Sequence, residues 1–582
     1  MKQMLEEKLQ AHLTFIYGAE TADQIFLDLL HRLDAFRRDY AALDAAPTPP
    51  PPAERITQAD SILITYGDQI REPGHPAFLS LAQFIESRLR GIISTVHLLP
   101  FYPYSSDDGF SIIDYTAVDP VMGDWPDLAP LRQNFRLMFD AVINHVSAQS
   151  HWFQAFLQDD PPYRDYFITV PPDTDLSSIT RPRALPLLTP FETAAGRQHV
   201  WTTFSADQVD LNYKNPAVLL DIIDVLLFYV AQGADFIRLD AIAYLWKEIG
   251  TSSIHLPQTH RVIQLFRTVL DIVAPQVMII TETNVPHAEN ISYFGDGRNE
   301  AQLVYNFSLA PLILHTFHTG RAVALQNWAA GLEQLPETAA FFNFIASHDG
   351  IGVRPAEGIL SAAEIQTLAD KTVAHGGQVS YKTNPDGSQS AYELNITLFD
   401  ALSDPLGGEP ESLKIDRFIA SQAIMLALAG LPGIYVHSLV GSPNNRTGVA
   451  ATGRARTINR EKWHPVDLEA ALDNPQSRAA RVFGRYTALL KARAEQPAFH
   501  PNAPQQIIAG NPALFALLRT VPDGAEQVLC LHNITARSQT FSVDASSLAR
   551  QSWRDLLSGE TFVAAPEIPL EPYAVRWLSS SS

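Results

Sequence analysis

The sequence predicts an α/β fold, a (β/α)8 TIM barrel with inserted loop subdomains and terminal additions. Eight short, nearly continuous apolar runs recur from residue 61 onward, and most are separated by segments able to form helices. Hydrophobic strands that alternate with helices imply a parallel sheet covered on its outer face, and eight such units fit a closed barrel. After about residue 505 the pattern changes to short alternating strands, which is typical of an antiparallel β domain.

The eight predicted barrel strands share a short length and a high content of apolar residues. They are SILITYG, ISTVHLLPF, RLMFDAVINH, ADFIRLDAI, VMIITETN, LVYNFS, FFNFIASHD and GIYVHS. The segment before the fourth strand shows how the helices are predicted. Asn215 can cap a helix there, Pro216 suits its first position and Gly233 ends it.

The remaining segments lie before, within and after the barrel. The N-terminal residues have apolar positions at helical spacing and end in the stretch PTPPPP, which cannot continue a helix. Two connections are too long for simple loops, and loops of this length are usually functional or form small subdomains. The predicted division is a helical N-terminal extension with a proline-rich linker at 1–52, a barrel at 53–145 and 204–504, an inserted domain at 146–203, an inserted acceptor-site subdomain at 350–405 and a C-terminal β domain at 505–582.

Composition and charge exclude several classes of partner. The net charge of −21, without any run of Lys or Arg, argues against nucleic acid. The longest apolar region, 418–436, is interrupted by polar residues, Gly and Pro, so it predicts a buried helix followed by a strand and no membrane span. The single cysteine, Cys530, permits no intrachain disulfide and fits a reducing compartment. The N-terminus has acidic residues where a signal peptide needs an apolar core, so a cytoplasmic location is expected.

Polar residues gather at the carboxyl ends of several predicted strands, where barrel enzymes build their active sites. They are His145 after the third strand, Arg238 and Asp240 in the fourth, Glu282 after the fifth, and His348 and Asp349 after the seventh. Three carboxylates, two imidazoles and an arginine on one rim suggest acid–base or nucleophilic chemistry on a sugar.

Two of these carboxylates suit the retaining cleavage of a glycosidic bond, which needs a carboxylate nucleophile and a carboxylic acid about 5–5.5 Å apart. Asp240 and Glu282 come from adjacent strands and fit these roles. Because residues i and i+2 of a strand share a face, Arg238 is expected beside Asp240, where its charge keeps the aspartate ionised. Glu282 must hold a proton at neutral pH, and a nearby anion such as Asp349 raises its pKa in that direction.

Two other interpretations of the same residues stay open. Arg238 and Asp240 could form a buried ion pair that only fixes the barrel geometry, since structural ion pairs also occur at such positions. His145, His348 and Asp349 are side chains that bind metals well, but no metal-ligand spacing accompanies them, so no metal site is predicted.

The strand-end motifs resemble glycoside hydrolase family 13, the α-amylase family. The motifs similar to its four conserved regions, in the same order, are DAVINH at 140–145, FIRLDAI at 236–242, Glu282 and SHD at 347–349. The resemblance implies that Asp240 is the nucleophile, Glu282 the general acid/base and Asp349 the transition-state stabiliser. It also implies that the first sugar subsite is contacted by Arg238, His145 and His348.

Further motifs are similar to the sucrose phosphorylase-like branch of this family. They are SSDDGFSIIDYTAVDP at 105–120, RPRALPLLTPF at 181–191, FSADQVDLNY at 204–213 and RTINREKW at 456–463. The resemblance implies that Asp107 and Arg460 grip the glucose 4-hydroxyl and close the pocket. It implies a sugar-site lining of Phe110, Phe204 and Gln208.

In this branch phosphate, in place of water, opens the covalent β-glucosyl intermediate and α-glucose 1-phosphate is released. Arg181 and Arg183 in the first insert offer forked donors suited to phosphate. The resemblance therefore implies small-molecule partners, an α-glucoside and inorganic phosphate as co-substrate, with no separate cofactor. The oligomeric state is left open, a homodimer included.

The insert after the seventh strand bears on the group that is released from glucose. SAYELNITLFDAL at 390–402 resembles the acceptor loop of this branch and supplies Tyr392 as a predicted acceptor residue. Ser390 stands where sucrose phosphorylases typically carry an aspartate that holds fructose. Removing an anion, with Lys382 nearby in sequence, suits a negatively charged aglycone such as glycerate. The N-terminal extension and the segment 441–463 also resemble the glucosylglycerate phosphorylase group.

Glycerate is therefore the favoured aglycone, while sucrose, sucrose 6-phosphate and glucosylglycerol stay open as substrates. A hydrolase or transglucosidase with the same nucleophile is a second interpretation, and indifference to phosphate would distinguish it. A non-catalytic sugar-binding protein is a third. It would be expected to lack at least one of Asp240, Glu282 and Asp349, and all three are present.

Overall fold

The computed structural model describes residues 2–41, 50–183, 185–383, 388–521, 524, 526–542, 552–563 and 566–580. Its centre is a closed barrel of eight parallel strands, each paired with its neighbours in chain order. The strands are Ile62–Thr65, Thr95–Leu98, Arg136–Ala141, Phe236–Leu239, Met278–Thr281, Leu303–Tyr305, Ala340–Asn343 and Leu431–Tyr435. Their residues are buried, apart from a partly exposed Arg136, because side chains fill the barrel interior and helices cover the outside. The predicted barrel and all eight strands are confirmed.

Helices surround the barrel and connect its strands. The longer ones are Ala77–Leu89, Pro216–Ala231, Pro257–Val273, Leu309–Thr319, Glu411–Ala427 and Arg478–Ala494, and the shorter ones are Pro52–Arg55, Ala129–Arg132, His287–Asn290, Val323–Ala330, Arg446–Thr452 and Pro465–Asp473. The signals before the fourth strand act as predicted: the side chain of Asn215 accepts a hydrogen bond from Ala217 N–H at 3.0 Å, and Gly233 has a φ of 94°. None of the helices in the described ranges is long and apolar enough to span a bilayer.

The N-terminal extension is a helical hairpin that packs on the outside of the barrel. Helices Lys2–Tyr17 and Ala19–Asp39 are joined at Gly18, whose φ of 80° allows the chain to turn. Leu9, Leu13 and other apolar residues of the hairpin belong to the same buried core as the barrel. Residues 47–49, part of the predicted proline-rich linker, lie outside the described residues.

Both long connections contain structure of their own. The first has the helix His151–Leu157 and a hairpin of strands Leu188–Thr193 and Gly196–Trp201, while short strands His145–Ser147 and Gln208–Asp210 pair at its base. The second has the helices Ala362–Ala374 and Leu398–Leu402 and a three-stranded antiparallel sheet of Ile351–Gly352, Gln389–Asn395 and Gln378–Thr383. Both follow carboxyl ends of barrel strands, so both stand above the site.

The C-terminal region is antiparallel β structure, as predicted. Its strands are Gln505–Ile508, Leu514–Thr520, Gln527–Asn533, Gln539–Ser542, Ser552–Asp555, Thr561–Val563, Glu567–Leu570 and Val575–Ser580. Cys530 lies buried in this region. Arg519 donates to the Ala427 carbonyl at 2.7 Å and thereby joins the β structure to a barrel helix.

Candidate active site

A cavity of about 840 Å³ opens at the carboxyl ends of the barrel strands, beneath the two inserts. Most residues that the sequence predicts for the site line this cavity. They are Asp107, Phe110, His145, Arg183, Phe204, Gln208, Asp240, Glu282, His348, Asp349 and Tyr392. The structure therefore brings together residues from four barrel strands and both inserts, as expected for a site assembled at one end of a barrel.

Arg238 lies behind Asp240 and is held from two sides. Arg238 Nη1 donates to Asp240 Oδ1 at 2.8 Å and forms a second ion pair with Asp140, its register partner in the third strand. His97 Nε2 in turn lies 2.6 Å from Asp140 Oδ2. All four side chains are buried. Asp140 and His97 were missed by sequence reasoning, although a carboxylate inside the run LMFDAV is itself an unusual feature of a buried strand.

The pKa of Asp240 is subject to opposing effects in the buried cavity. Burial raises it, Arg238 lowers it, and the neighbouring Glu282 carboxyl raises it again. Arg238, whose Nη1 lies 2.8 Å from Asp240 Oδ1, favours the ionised form of Asp240. The charge of Arg238 is shared between two carboxylates, Asp240 and Asp140. Burial raises the pKa of Asp140, but Arg238 and His97 together lower it below its usual value. Asp140 therefore competes with Asp240 for the positive charge of Arg238.

Glu282 has the environment that a proton donor needs. Burial raises its pKa, Arg238 opposes the shift, and the negative charge of Asp349 adds to it. Glu282 Oε2 also accepts a hydrogen bond from Ala241 N–H at 3.0 Å. Ala241 has a φ of 48°, a left-handed conformation that is costly for a residue with a Cβ, and this conformation directs its N–H at the carboxylate.

Asp349 is held by an arginine that sequence reasoning did not select. Arg456 Nη1 lies 2.6 Å from Asp349 Oδ1, and the other side of the same guanidinium donates to both carboxylate oxygens of Glu393, at 2.8 and 2.7 Å. Glu393 also accepts from Gly350 N–H at 2.9 Å. A Cβ on Gly350 would lie 2.6 Å from Glu393, so glycine is required for this close approach. Both missed residues lie in stretches that the sequence singled out, RTINREKW and SAYELN.

The predicted sugar-lining residues form a connected group. The Phe110 carbonyl accepts from His145 Nε2 and from Gln208 Nε2, both at 2.9 Å. The Phe110 ring stacks on His348, with ring centres 4.9 Å apart. The Phe204 ring lies 5.3 Å from the His145 ring. Burial lowers the pKa of both histidines, so each is a neutral hydrogen-bonding group in the cavity wall.

Asp107 and Arg460, which the resemblance implies to grip the glucose 4-hydroxyl, have different ion-pair partners. Asp107 Oδ2 lies 3.0 Å from Arg183 Nη2, whereas Arg460 Nη1 donates to Asp108 Oδ2 at 2.5 Å and Arg460 Nε donates to the His348 carbonyl at 2.7 Å. Asp107 and Arg460 do line one wall together, that of an adjoining outer cavity of about 1120 Å³. Both aspartates have a φ near +50°, and this sharp turn sends neighbouring carboxylates to different arginines.

Two predicted phosphate- or acceptor-binding residues lie outside both cavities. Lys382 donates to Glu357 Oε1 at 2.8 Å, so its charge is already paired. Arg181 is exposed on the first insert and lines neither cavity. Arg183 and Tyr392, which the same motifs predicted for phosphate or acceptor binding, line both cavities.

Asn284 is a further wall residue that sequence reasoning missed. It follows Glu282 by two positions, and its buried Oδ1 has no hydrogen-bond partner among the described residues. A buried acceptor without a partner is costly, so Asn284 is suited to receive a ligand hydroxyl. Within the described residues, no three or more His, Cys, Asp or Glu side chains are arranged to hold a metal ion.

Comparison with known proteins agrees with this architecture. A family profile described as the catalytic domain of alpha amylase matches residues 90–352, and the C-terminal domain of maltogenic amylase matches residues 505–577. A glucosylglycerate phosphorylase of Allomeiothermus silvanus is 50% identical to the chain over 578 residues, covering 99% of this chain and 98% of that protein. The chain belongs to the α-amylase family.

Other members of the α-amylase family place the chain within it. A glucosylglycerate phosphorylase of Spirochaeta thermophila is 47% identical over 587 residues, which is 98% of both chains. The crystal structure of sucrose 6F-phosphate phosphorylase from Thermoanaerobacter thermosaccharolyticum has a TM-score of 0.71 at 24% identity and covers 82% of this chain and 94% of that one. That structure shows a shared fold. The resemblance to the sucrose phosphorylase-like branch is confirmed by a sucrose phosphorylase of Agrobacterium vitis, which is 31% identical over 464 residues and covers 75% of this chain and 88% of that protein.

Proposed function

We propose that this protein is a retaining α-glucoside phosphorylase that cleaves glucosylglycerate with inorganic phosphate, giving α-glucose 1-phosphate and glycerate. The observation that carries this proposal is the 50% identity with a glucosylglycerate phosphorylase across 99% of the chain. The site supports it, because Asp240 and Glu282 share one cavity with the arginines that an anionic substrate requires.

The first half of the reaction breaks the glycosidic bond. Asp240 attacks the anomeric carbon while Glu282 gives its proton to the departing glycerate oxygen, so a β-glucosyl ester forms on Asp240. Burial raises the pKa of Glu282 and so favours the protonated form that this step needs. Arg238 and the Ala241 N–H hold the two carboxylates in place, at 2.8 Å from Asp240 and 3.0 Å from Glu282.

The second half transfers glucose to phosphate. A phosphate oxygen attacks the anomeric carbon, the ester bond to Asp240 breaks, and Glu282 takes the proton of the attacking oxygen. Two inversions give an α-linked product. Phosphate is a co-substrate here and the carboxylates need no further cofactor. A cytoplasmic setting is part of the proposal, and it is supported by a single cysteine, Cys530, which is buried.

The charge around the site supports an anionic aglycone over a neutral one. The outer cavity is lined by four arginines and three carboxylates: Arg183, Arg454, Arg456, Arg460, Asp107, Asp108 and Glu393. It therefore carries one excess positive charge, in a chain whose net charge is −21. Such a local excess favours glycerate and phosphate over fructose or glycerol.

The proposal is tested by phosphorolysis. The purified protein is incubated with glucosylglycerate and phosphate, and the products are followed by ³¹P and ¹H NMR. We expect α-glucose 1-phosphate and glycerate in equal amounts, with at most slow release of glucose when phosphate is omitted. Glucose as the main product in the presence of phosphate would identify a hydrolase, and β-glucose 1-phosphate would exclude the double displacement.

A further inference from the structure

The two acceptors of the proposed reaction pose one recognition problem. Glycerate and phosphate approach the same anomeric carbon in turn, and each brings negative charge towards Glu282 and Asp349. Resting on the proposed function, we propose that Arg456 is the specificity residue that binds the anionic group of both acceptors, the carboxylate of a hydroxy acid and the phosphate oxygens.

The position of Arg456 is the first support. It lines the inner cavity that contains Asp240 and Glu282, and it also lines the outer cavity at the mouth. Among the arginines of the outer cavity, only Arg183 shares this property, while Arg454 and Arg460 line the outer cavity alone. Arg456 thus belongs to the shared wall of the two cavities, so an acceptor that enters through the outer cavity meets it on the way to Asp240.

Arg456 also lies close to the reacting carboxyl groups, which is the second observation in favour of the proposal. Arg456 lies 2.6 Å from Asp349 and lowers the pKa of Glu282, a carboxyl whose pKa burial raises. Arg238 also acts on Glu282 but lies behind the cavity wall. In the hydroxy acid and in phosphate, the charged oxygens are two or three bonds from the oxygen that joins glucose, so the cation that serves them must be close to Glu282.

The hydrogen bonds of Arg456 leave donors for a ligand. A guanidinium has five N–H groups; among the described residues, Arg456 donates two of them to Glu393, and its Nη1 forms an ion pair with Asp349 at 2.6 Å. The bidentate bond to Glu393 fixes the plane of the guanidinium, and a fixed fork suits a carboxylate or a phosphate. Glu393 is itself buried and held by Gly350, so Arg456 is set in place before the acceptor arrives.

Arg454 offers a matched comparison. It has the same side chain and lines the same outer cavity, but it is half exposed, with 53% of its side chain accessible, and it pairs with Asp108 at 3.0 Å. If general positive charge at the mouth selected the acceptors, Arg454 and Arg456 would matter alike. If a fixed fork near Glu282 selects them, only Arg456 will matter.

The test measures how the glucosyl-enzyme divides between acceptors. α-Glucosyl fluoride loads Asp240 with glucose and releases fluoride, and the ester is then opened by water, phosphate, D-glycerate or glycerol. The ratio of transfer product to free glucose is measured for each acceptor. This ratio depends on the second step alone, so it is unaffected by slower loading in a variant. The proteins compared are the wild type, Arg456→Gln, Arg456→Lys and Arg454→Gln.

We expect Arg456→Gln to lower the transfer ratio for both phosphate and glycerate by about 30-fold, as for the loss of a hydrogen bond to a charged group. The ratio for glycerol, which lacks the carboxylate, should change by less than about threefold by the same argument. Arg456→Lys keeps the charge without the fork and should fall between the wild type and Arg456→Gln. Arg454→Gln removes a half-exposed charge that solvent screens, so it should change every ratio by less than about threefold.

Each other outcome has a definite meaning. Equal losses for glycerol, glycerate and phosphate would overturn the inference and assign Arg456 only to positioning Asp349. Equal effects of Arg454→Gln and Arg456→Gln would overturn it in favour of diffuse charge. A wild-type protein that transfers glucose to neither anion would overturn the proposed function and this inference together, whereas transfer by the wild type that Arg456→Gln leaves intact overturns the inference alone.

Discussion

The active site consists of two groups of residues that are held in place by different means. The strand-end group is Arg238, Asp240, Glu282, His348 and Asp349. The insert group is defined as Arg183, Tyr392 and Glu393 from the two inserts, together with Arg456 from the segment that follows the eighth strand. The strand-end group sits at the ends of hydrogen-bonded barrel strands, where the register alone brings Asp140 opposite Arg238. The insert group depends on contacts between distant segments, such as Arg183 with Asp107, 76 residues apart, and Arg456 with Glu393, 63 residues apart.

This difference separates bond breaking from the choice of acceptor. The barrel holds the strand-end group rigidly, which suits carboxylates that must face one carbon atom in every reaction. The insert group is partly exposed and joined by ion pairs, so it can vary without disturbing the barrel. Changes in the strand-end group should therefore lower transfer to every acceptor alike, whereas changes in the insert group should alter which acceptor is used.

The largest effect is expected at the nucleophile. Asp240→Asn should reduce phosphorolysis and transfer to every acceptor by at least about 10⁴-fold, because no other step can form the glucosyl ester. The measurement is the initial rate of α-glucose 1-phosphate formation, with circular dichroism to verify that the barrel is folded. If Asp240→Asn kept about a tenth of the wild-type rate, Asp240 could not be the nucleophile.

Glu282→Gln should have the next largest effect, and the effect should depend on the leaving group. Loss of a general acid costs about 10²–10⁴-fold when the leaving oxygen needs a proton. Glucosylglycerate should therefore be affected far more than an aryl glucoside with an acidic phenol. Measuring kcat/KM for both donors provides the control within one variant. Equal losses for the two donors would contradict the assignment of Glu282 as the acid.

The pH dependence of the cleavage rate should reveal the titration of Glu282. The raised pKa of Glu282, caused chiefly by burial, means that the proton needed for cleavage is kept to a higher pH than in an ordinary glutamate and is lost as the pH rises through that pKa. Cleavage of glucosylglycerate should fall about tenfold per pH unit above it. Cleavage of α-glucosyl fluoride, which needs no proton from Glu282, should lack this limb. An identical alkaline limb for both donors would indicate that another group titrates.

Within the insert group, Arg183→Gln and Arg181→Gln form a pair of matched variants. Arg183 lines both cavities and lies over the Phe204 ring at 5.6 Å, whereas Arg181 is exposed and lines neither. Arg183→Gln should raise the KM for phosphate about tenfold, as for a lost charge-assisted hydrogen bond. Arg181→Gln should stay within about twofold, as is usual for a substitution at an exposed surface position. A larger effect of Arg181→Gln would show that Arg181 takes part in phosphate binding.

The positions of functional residues could be predicted from the sequence where those residues lie at the ends of barrel strands. His145, Arg238, Asp240, Glu282 and Asp349 could be placed on one rim because parallel strands in a barrel all end at the same face. The helix and strand predicted within 418–436 appear as Glu411–Ala427 and Leu431–Tyr435 for the same kind of reason, since the polar and Gly–Pro interruption fixes the break between them.

The insert group could not be predicted in the same way. Whether Lys382 meets a ligand or Glu357, and whether Arg460 meets Asp107 or Asp108, depends on how long loops fold back over the barrel. Motif resemblance located the stretch that contains Arg456 but gave no signal for its contact with Glu393. The strand pattern placed Arg238 beside Asp240, but its second partner, Asp140, could not be identified without the register of the two strands.

The central claim is that the insert group selects an anionic aglycone for a phosphorolytic strand-end group. The most direct test is the synthetic reaction, in which phosphate release from α-glucose 1-phosphate is measured with D-glycerate, glycerol, fructose or fructose 6-phosphate as the acceptor. We expect fast release with D-glycerate and little with the other three. Equal release with every acceptor would show that the insert group does not select an anion, and the same slow release without any acceptor would show that water is the nucleophile.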